Sequence, residues 1–200
     1  MFSPRSNGEK MAQSLYSTTK RALAFYDKQM LDSLNQAMKD FILRQEMVFI
    51  ATSDASGECD SSFRAGLPGF IRVLDEKTLI YPEYRGNGVM ASIGNIMENN
   101  HIGMMFIDFF ESTVGLHVNG TAQILENDQL LVLTNLPDSV LSDLKAKGVR
   151  KPERWIKVSV LEAYIHCSKH VPLLAKLDKK IHWGTDNSIH KGGDYFGVNG

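Results

Sequence analysis

From Thr113 to Ile124 the chain alternates between apolar and polar residues. Val114, Leu116, Val118, Ala122 and Ile124 fall on one side, and Thr113, His117, Asn119, Thr121 and Gln123 on the other. A period of two is the pattern of a half-buried strand, because successive side chains leave a strand on opposite faces. Gly120 interrupts the run, as expected at a bulge or at the sharp bend a barrel uses. Other segments read the same way. In MVFIATSDASGECDSSF an extended run meets the turn sequence Asp54-Ala55-Ser56-Gly57 and a second extended run follows, which predicts a hairpin. GFIRVLDEKTLIYP predicts another around Asp75-Glu76-Lys77. His101 to Phe110 reads as a buried strand, and residues 154–165 return to strand. Antiparallel strands joined by hairpins, with helices inserted, predict an α+β domain whose sheet closes into a barrel.

The helical segments are fewer. Leu31, Leu34, Met38, Phe41 and Ile42 recur on one helical face, as in a lid or plug. Residues 128–147 read as helix, with Pro137 and Asp138 near a start and Gly148 past an end. The first ten residues, rich in Ser, Pro, Gly and charge, predict a mobile arm. No linker splits the chain, so the reading is an arm and helix over 1–30, one domain over 31–180 and a tail over 181–200. The 22 basic and 23 acidic residues leave a net charge of −1, which gives no global attraction to nucleic acid. No apolar run exceeds five residues and the opening MFSPRSNGEK lacks a signal's apolar stretch, so the expectation is a cytoplasmic protein without membrane contact. Cys59 and Cys167 are expected to be reduced thiols.

Three segments could carry chemistry. Tyr81-Pro82-Glu83-Tyr84-Arg85-Gly86-Asn87-Gly88 runs into VMASIGNIM, a flexible turn feeding a helix. The unpaired N–H groups of a first helical turn, with Arg85 and Ser92 nearby, suit a phosphate; the other reading is a plain turn capped by Asn87 or Gly88. In Ser61 to Phe70, the residues Gly66, Pro68 and Gly69 weaken a strand ladder and would admit a flat ligand. There Arg64 offers parallel donors to an anion, or is a surface arginine beside a loop. Finally, His166, Cys167 and His170, with His182 and His190 further on, could ligate zinc but match no paired-cysteine or HExxH spacing, and Cys167 with a histidine could be a nucleophile pair but has no identifiable third orienting group. Trp155 and Trp183 could pack or lie near a flat cofactor.

In order, the RAGLPGF segment, the YRGN turn feeding SIGNIMENNHIGMMFID, and the later YIHCSK resemble the pyridoxamine 5'-phosphate oxidase-related family of FMN-binding split barrels, over about residues 45–170. The resemblance implies a six-stranded antiparallel split β-barrel with peripheral helices over 31–180, a homodimer, and FMN in clefts at the interface. It implies that Arg64, Ala65, Gly66, Leu67 and Pro68 wall the flavin and that Asn87, Gly88 and Ser92 neighbour the phosphate. Lys169 approaches the same cleft, and Tyr81 lies beside it. The chain departs from the founding enzyme: Gly86-Asn87-Gly88 stands where that enzyme carries a Ser-Arg-Lys cluster, and HWGTDNSIH replaces an Arg-x-His motif. The expected activity is therefore an FMN-dependent oxidoreductase acting on a small molecule, with a nicotinamide as a candidate donor. The alternative is a flavin- or haem-binding storage or sensing protein.

Overall fold

A computed structural model describes residues 2–133, 136–148, 151–182, 184–185 and 187–198; Trp183 and Asp186 of the tail lie outside them. Helix begins earlier than the composition suggests. Ser6 accepts from the Glu9 N–H and caps α1 (Asn7–Leu15), so the last four residues of the expected arm are the start of a helix. After α2 (Thr19–Gln29), the two-residue strand β1 (Met30–Leu31) takes up Leu31, the first residue assigned to a helical face. Asn35 then caps α3 (Gln36–Arg44) through the Met38 N–H. The helical stripe is therefore confined to Met38, Phe41 and Ile42, while Leu34 packs into the core from the preceding turn.

The sheet follows the hairpins read from the sequence. β2 (Met47–Ser53) pairs with β3 (Cys59–Ala65) across a turn in which Asp54 Oδ1 accepts from the N–H groups of Ser56 and Glu58. β4 (Arg72–Asp75) pairs with β5 (Thr78–Glu83). Helix α4 (Ala91–Glu98) leads to β6 (His101–Ile107), which alternates between buried and half-buried residues rather than being buried on both faces. β7 (Gly115–Leu125) and β8 (Arg154–His166) are the long strands. Between them lie α5 (Asn127–Leu130) and α6 (Asp138–Lys145), two helices where one was expected. Pro137 stands immediately before α6, and it has no N–H to continue a helix from α5.

Among the described residues eight strands form one antiparallel sheet in the order β3-β2-β6-β7-β8-β5-β4, with β1 added to β8. Six of them have six residues or more, and β1 and β4 are the short additions. The Thr113–Ile124 alternation is realised in β7, whose Leu116, Val118 and Ala122 are buried. The irregularity expected at Gly120 lies in its ladder with β8, where Asn119 faces Glu162 but Gly120 faces Val160. Leu161 is the extra residue, so β8 carries the bulge and Gly120 admits it.

Two cores result. The larger gathers Ile50, Ile71, Tyr81, Met104, Phe106, Val118 and Val158 inside the curved sheet. The smaller joins Ile80, Leu125, Leu130, Val140 and Trp155 beneath α5 and α6. The adjacent residues Ile80 and Tyr81 enter different cores, which is why β5 is a continuous apolar run. The opposite face of β7 and β8 is polar. His117 Nε2 and His166 Nδ1 are 2.9 Å apart, and the His117 ring stacks on Tyr164 at 4.8 Å. Glu162, buried, receives Asn119 at 2.8 Å and Arg5 at 2.9 Å, which fastens the N-terminal segment to the sheet. Cys59 and Cys167 are free and exposed, and among the described residues no helix is long and apolar enough to cross a membrane.

Two outcomes follow from this packing. A Cβ at Gly120 would lie 2.1 Å from the Ser159 carbonyl oxygen, so Gly120→Ala should cost about 3 kcal/mol or more in urea denaturation. Burial, then the neighbouring His166, holds His117 below the ordinary histidine range, against a weaker opposite pull from Glu162. The unfolded chain takes up this proton near about pH 6.5, and the folded chain only below that. Stability from this group is thus complete above about pH 6.5 and declines as pH falls through that value to the lower folded pKa. Comparing denaturation at about pH 7.5 and about pH 5.5, His117→Gln should show a smaller loss on acidification than the parent chain.

Candidate functional site

β3 is an end strand with a polar inner side. Asp60, Ser62 and Arg64, at a spacing of two, share one face and are half-buried. Arg64 donates through Nε to Glu83 Oε2 and through Nη2 to Glu83 Oε1, both at 3.0 Å, and through Nη1 to the Phe63 carbonyl at 3.2 Å. The two-pronged pair joins β3 to the end of β5. Beside it, Asp60 Oδ2 accepts the hydroxyls of Ser62 at 2.8 Å and of Ser92 at 2.9 Å. Ser92 is buried in the first turn of α4, so the expected phosphate neighbour is held against β3. The turn before it is exposed: Asn87 Oδ1 accepts the Val89 N–H at 3.0 Å. Met90, in the left-handed region at φ 61°, starts α4 without a side-chain cap. The helix face read from Val89 to Met97 begins two residues late, and Val89 and Met97 are exposed.

Past Ala65 the chain leaves the sheet and walls a pocket of about 470 Å³. Gly66, Leu67, Pro68 and Phe70 form one side, Arg72 and Tyr84 lie alongside, and α6 presents Ser139, Ser142 and Asp143. The wall is tight. A Cβ at Gly66 would fall 2.3 Å from the Phe70 Cβ, and Phe70 closes the turn by donating its N–H to the Leu67 carbonyl at 2.9 Å. Arg72 is nearly buried, donates to Asp143 and to the Phe70 carbonyl, and lies 5.7 Å over the Trp155 ring. It therefore ties the wall to α6 across the pocket. Burial, then Asp143, pushes the Tyr84 phenol above its ordinary range, with Arg72 opposing. The phenol keeps its proton at neutral pH.

Two expected residues stand apart. Tyr81 is not beside a cleft: its side chain is fully buried in the larger core, and its hydroxyl has no hydrogen-bond partner among the described residues. Burial, then Glu83, pushes its ionisation far up. Lys169 is exposed in a short helical turn, Ser168–His170, after β8. The structure adds Asp60, Ser62, Glu83, Arg72 and Asp143. Asp60 and Ser62 lay in an extended run that was read without a face assignment, and Glu83 lay inside the Tyr81–Gly88 segment. Arg72 and Asp143 are 71 positions apart and carry no local signal.

Solved structures of similar fold include HupZ of Group A Streptococcus, 28% identical with a TM-score of 0.45, covering 64% of this chain and 89% of that one. A Lactobacillus delbrueckii protein provisionally described as a pyridoxamine 5'-phosphate oxidase is 19% identical, with a TM-score of 0.48 and coverage of 68% and 98%. HutZ, the heme storage protein from Vibrio cholerae, is 14% identical, with a TM-score of 0.44 and coverage of 66% and 93%. No curated protein matches the chain. The family model described as pyridoxamine 5'-phosphate oxidase matches residues 34–167, from the start of α3 through β8, and the chain belongs to that family.

Proposed function

We propose that the protein binds FMN and passes electrons or hydride between the flavin and a small molecule. The observation that carries this reading is that the 34–167 family match contains, in order, the Arg64 strip, the Gly66–Phe70 wall and the Asn87–Ser92 turn. The residues present fit the group. A phosphorylated planar ligand needs an oriented cation, hydroxyl donors and a close-packed flat wall. Arg64 offers the cation and Gly66 to Pro68 the wall, while the Ser62 and Ser92 hydroxyls, which donate to Asp60, serve the ligand only by turning their protons away from that carboxylate. Asn87 and Gly88 border the phosphate in this reading, and Ala65 connects the anion strip to the wall. The Tyr81 side chain takes no part, and Lys169 would act on a second copy's site.

When bound, FMN supplies hydride or single-electron chemistry. The chain's own residues bind and orient. The turn at Gly66–Phe70 provides a rigid backbone surface, and the Arg72–Asp143 pair fixes the opposing helix. Tyr84, holding its phenolic proton, lines the pocket beside Arg72. The pocket lies within the size range of small-molecule sites, about 300–1,000 Å³.

A second copy belongs to the same reading. Phe63, Phe49, Met105, His117 and Tyr164 are successive cross-strand neighbours over five strands, on the face opposite the larger core. Phe63 is 53% exposed at one end of this row. A band of that length, apolar over β3, β2 and β6 and continued by the polar aromatic rings of β7 and β8, suits a self-complementary interface. We place this homodimer in the cytoplasm.

Three measurements test the reading. The purified protein should carry a flavin spectrum, released on denaturation; a haem spectrum would overturn it. Light scattering should give a dimer, and a monomer that still holds FMN would remove the interface from the site. Arg64→Ala should weaken FMN by about 10- to 150-fold, the equivalent of about 1.5–3 kcal/mol, and leave riboflavin nearly unchanged. Equal losses for the two ligands would reassign Arg64 to the ring or to folding.

A further inference from the structure

An arginine carries five N–H donors in one rigid plane. In this chain Glu83 takes the Nε N–H and one N–H of Nη2, and the Phe63 carbonyl takes one N–H of Nη1. One donor is left on each terminal nitrogen. The side chains of Arg64 and Glu83 are 21% and 14% exposed, so the pair is largely withdrawn from water and holds its geometry better than a surface ion pair. It also spans β3 and β5, two strands that share no ladder among the described residues. Its orientation is therefore set by the side chains and not by strand register.

We propose that Glu83 is the positioning residue of the anion site: by gripping the Nε edge of Arg64 it presents the remaining N–H of each terminal nitrogen to a phosphate-bearing ligand. The inference rests on the FMN reading and adds a role to a residue that touches no ligand in it. Two features favour positioning over competition, in which the carboxylate would merely fill the anion's place. Releasing Glu83 would strand a largely desolvated carboxylate, which is costly. The nearest phenol on the same face of β5, Tyr81, makes no hydrogen bond that could already be holding that carboxylate in place. A two-pronged grip that persists lets Arg64 meet the ligand without losing side-chain freedom at that moment.

The two roles predict opposite signs. The full chain and its Glu83→Gln variant are titrated with FMN and with riboflavin by flavin fluorescence, in the parent and Arg64→Ala backgrounds. Positioning predicts that Glu83→Gln weakens FMN about tenfold, leaves riboflavin unchanged, and has no effect once Arg64 is gone. Tighter FMN binding by the variant, or equal losses for both ligands, overturns it. Far-UV circular dichroism checks folding. If Glu83→Gln does not fold, Glu83→Asp, which keeps the charge but shortens the reach, should show the same selective loss. A parent chain that binds neither flavin overturns the FMN reading itself, and this role with it.

Discussion

The fold hangs on the ladder between β7 and β8. These strands pair from Gly115–His166 to Leu125–Trp155, and the rest of the sheet is attached to them: β6 to the free side of β7, and β1 and β5 to β8. A ladder this long twists even in perfect register, but without a sharp local bend. The extra residue at Leu161 increases the local bend, and Gly120 is the position where the backbone of β8 can approach closely enough to allow it. Curvature of the sheet around the larger core depends on that contact, and so does the placing of β3 and β5 on facing walls where Arg64 can reach Glu83.

The sheet was legible because its signals are local. A period of two marks β7, turn residues mark the β2–β3 and β4–β5 hairpins, and each depends on neighbours a few positions apart. The sequence was less legible where two kinds of structure share a pattern. Leu31 and Leu34 fit a helical face, but β8 captured the first as strand partner and the core took the second. Residues 128–147 have helical content, but α5 ends at Leu130 and a separate helix, α6, starts after Pro137. The N-terminal arm looked mobile because its tie to Glu162 joins positions 157 apart, which no local pattern reveals.

The site divides along the same line. Arg64, Ser92 and Gly66 to Pro68 could be named from chain order and from residue types that suit an anion and a flat wall. Their partners Glu83 and Asp60, and the separate Arg72–Asp143 pair, could not, because they act through pairings made by the fold. Tyr81 marks the limit of reading a strand by residue type. A tyrosine near a cleft sequence suggests a ligand contact, yet alternation along β5 turns its ring into the core while Glu83, two residues on, meets Arg64.

The two-sided burial of β5 also bears on how the strand can vary. In a strand with one wet face, a one-residue slip is resisted because it drives apolar side chains into water. In β5 such a slip would instead exchange Ile80 and Tyr81 between the two cores, placing a phenol against Leu130 and Val140 and a smaller aliphatic group where the ring was. Solvent exposure would change little, so register here is enforced by shape. The strand that carries Glu83 is thereby located by two separately packed volumes, one on each face.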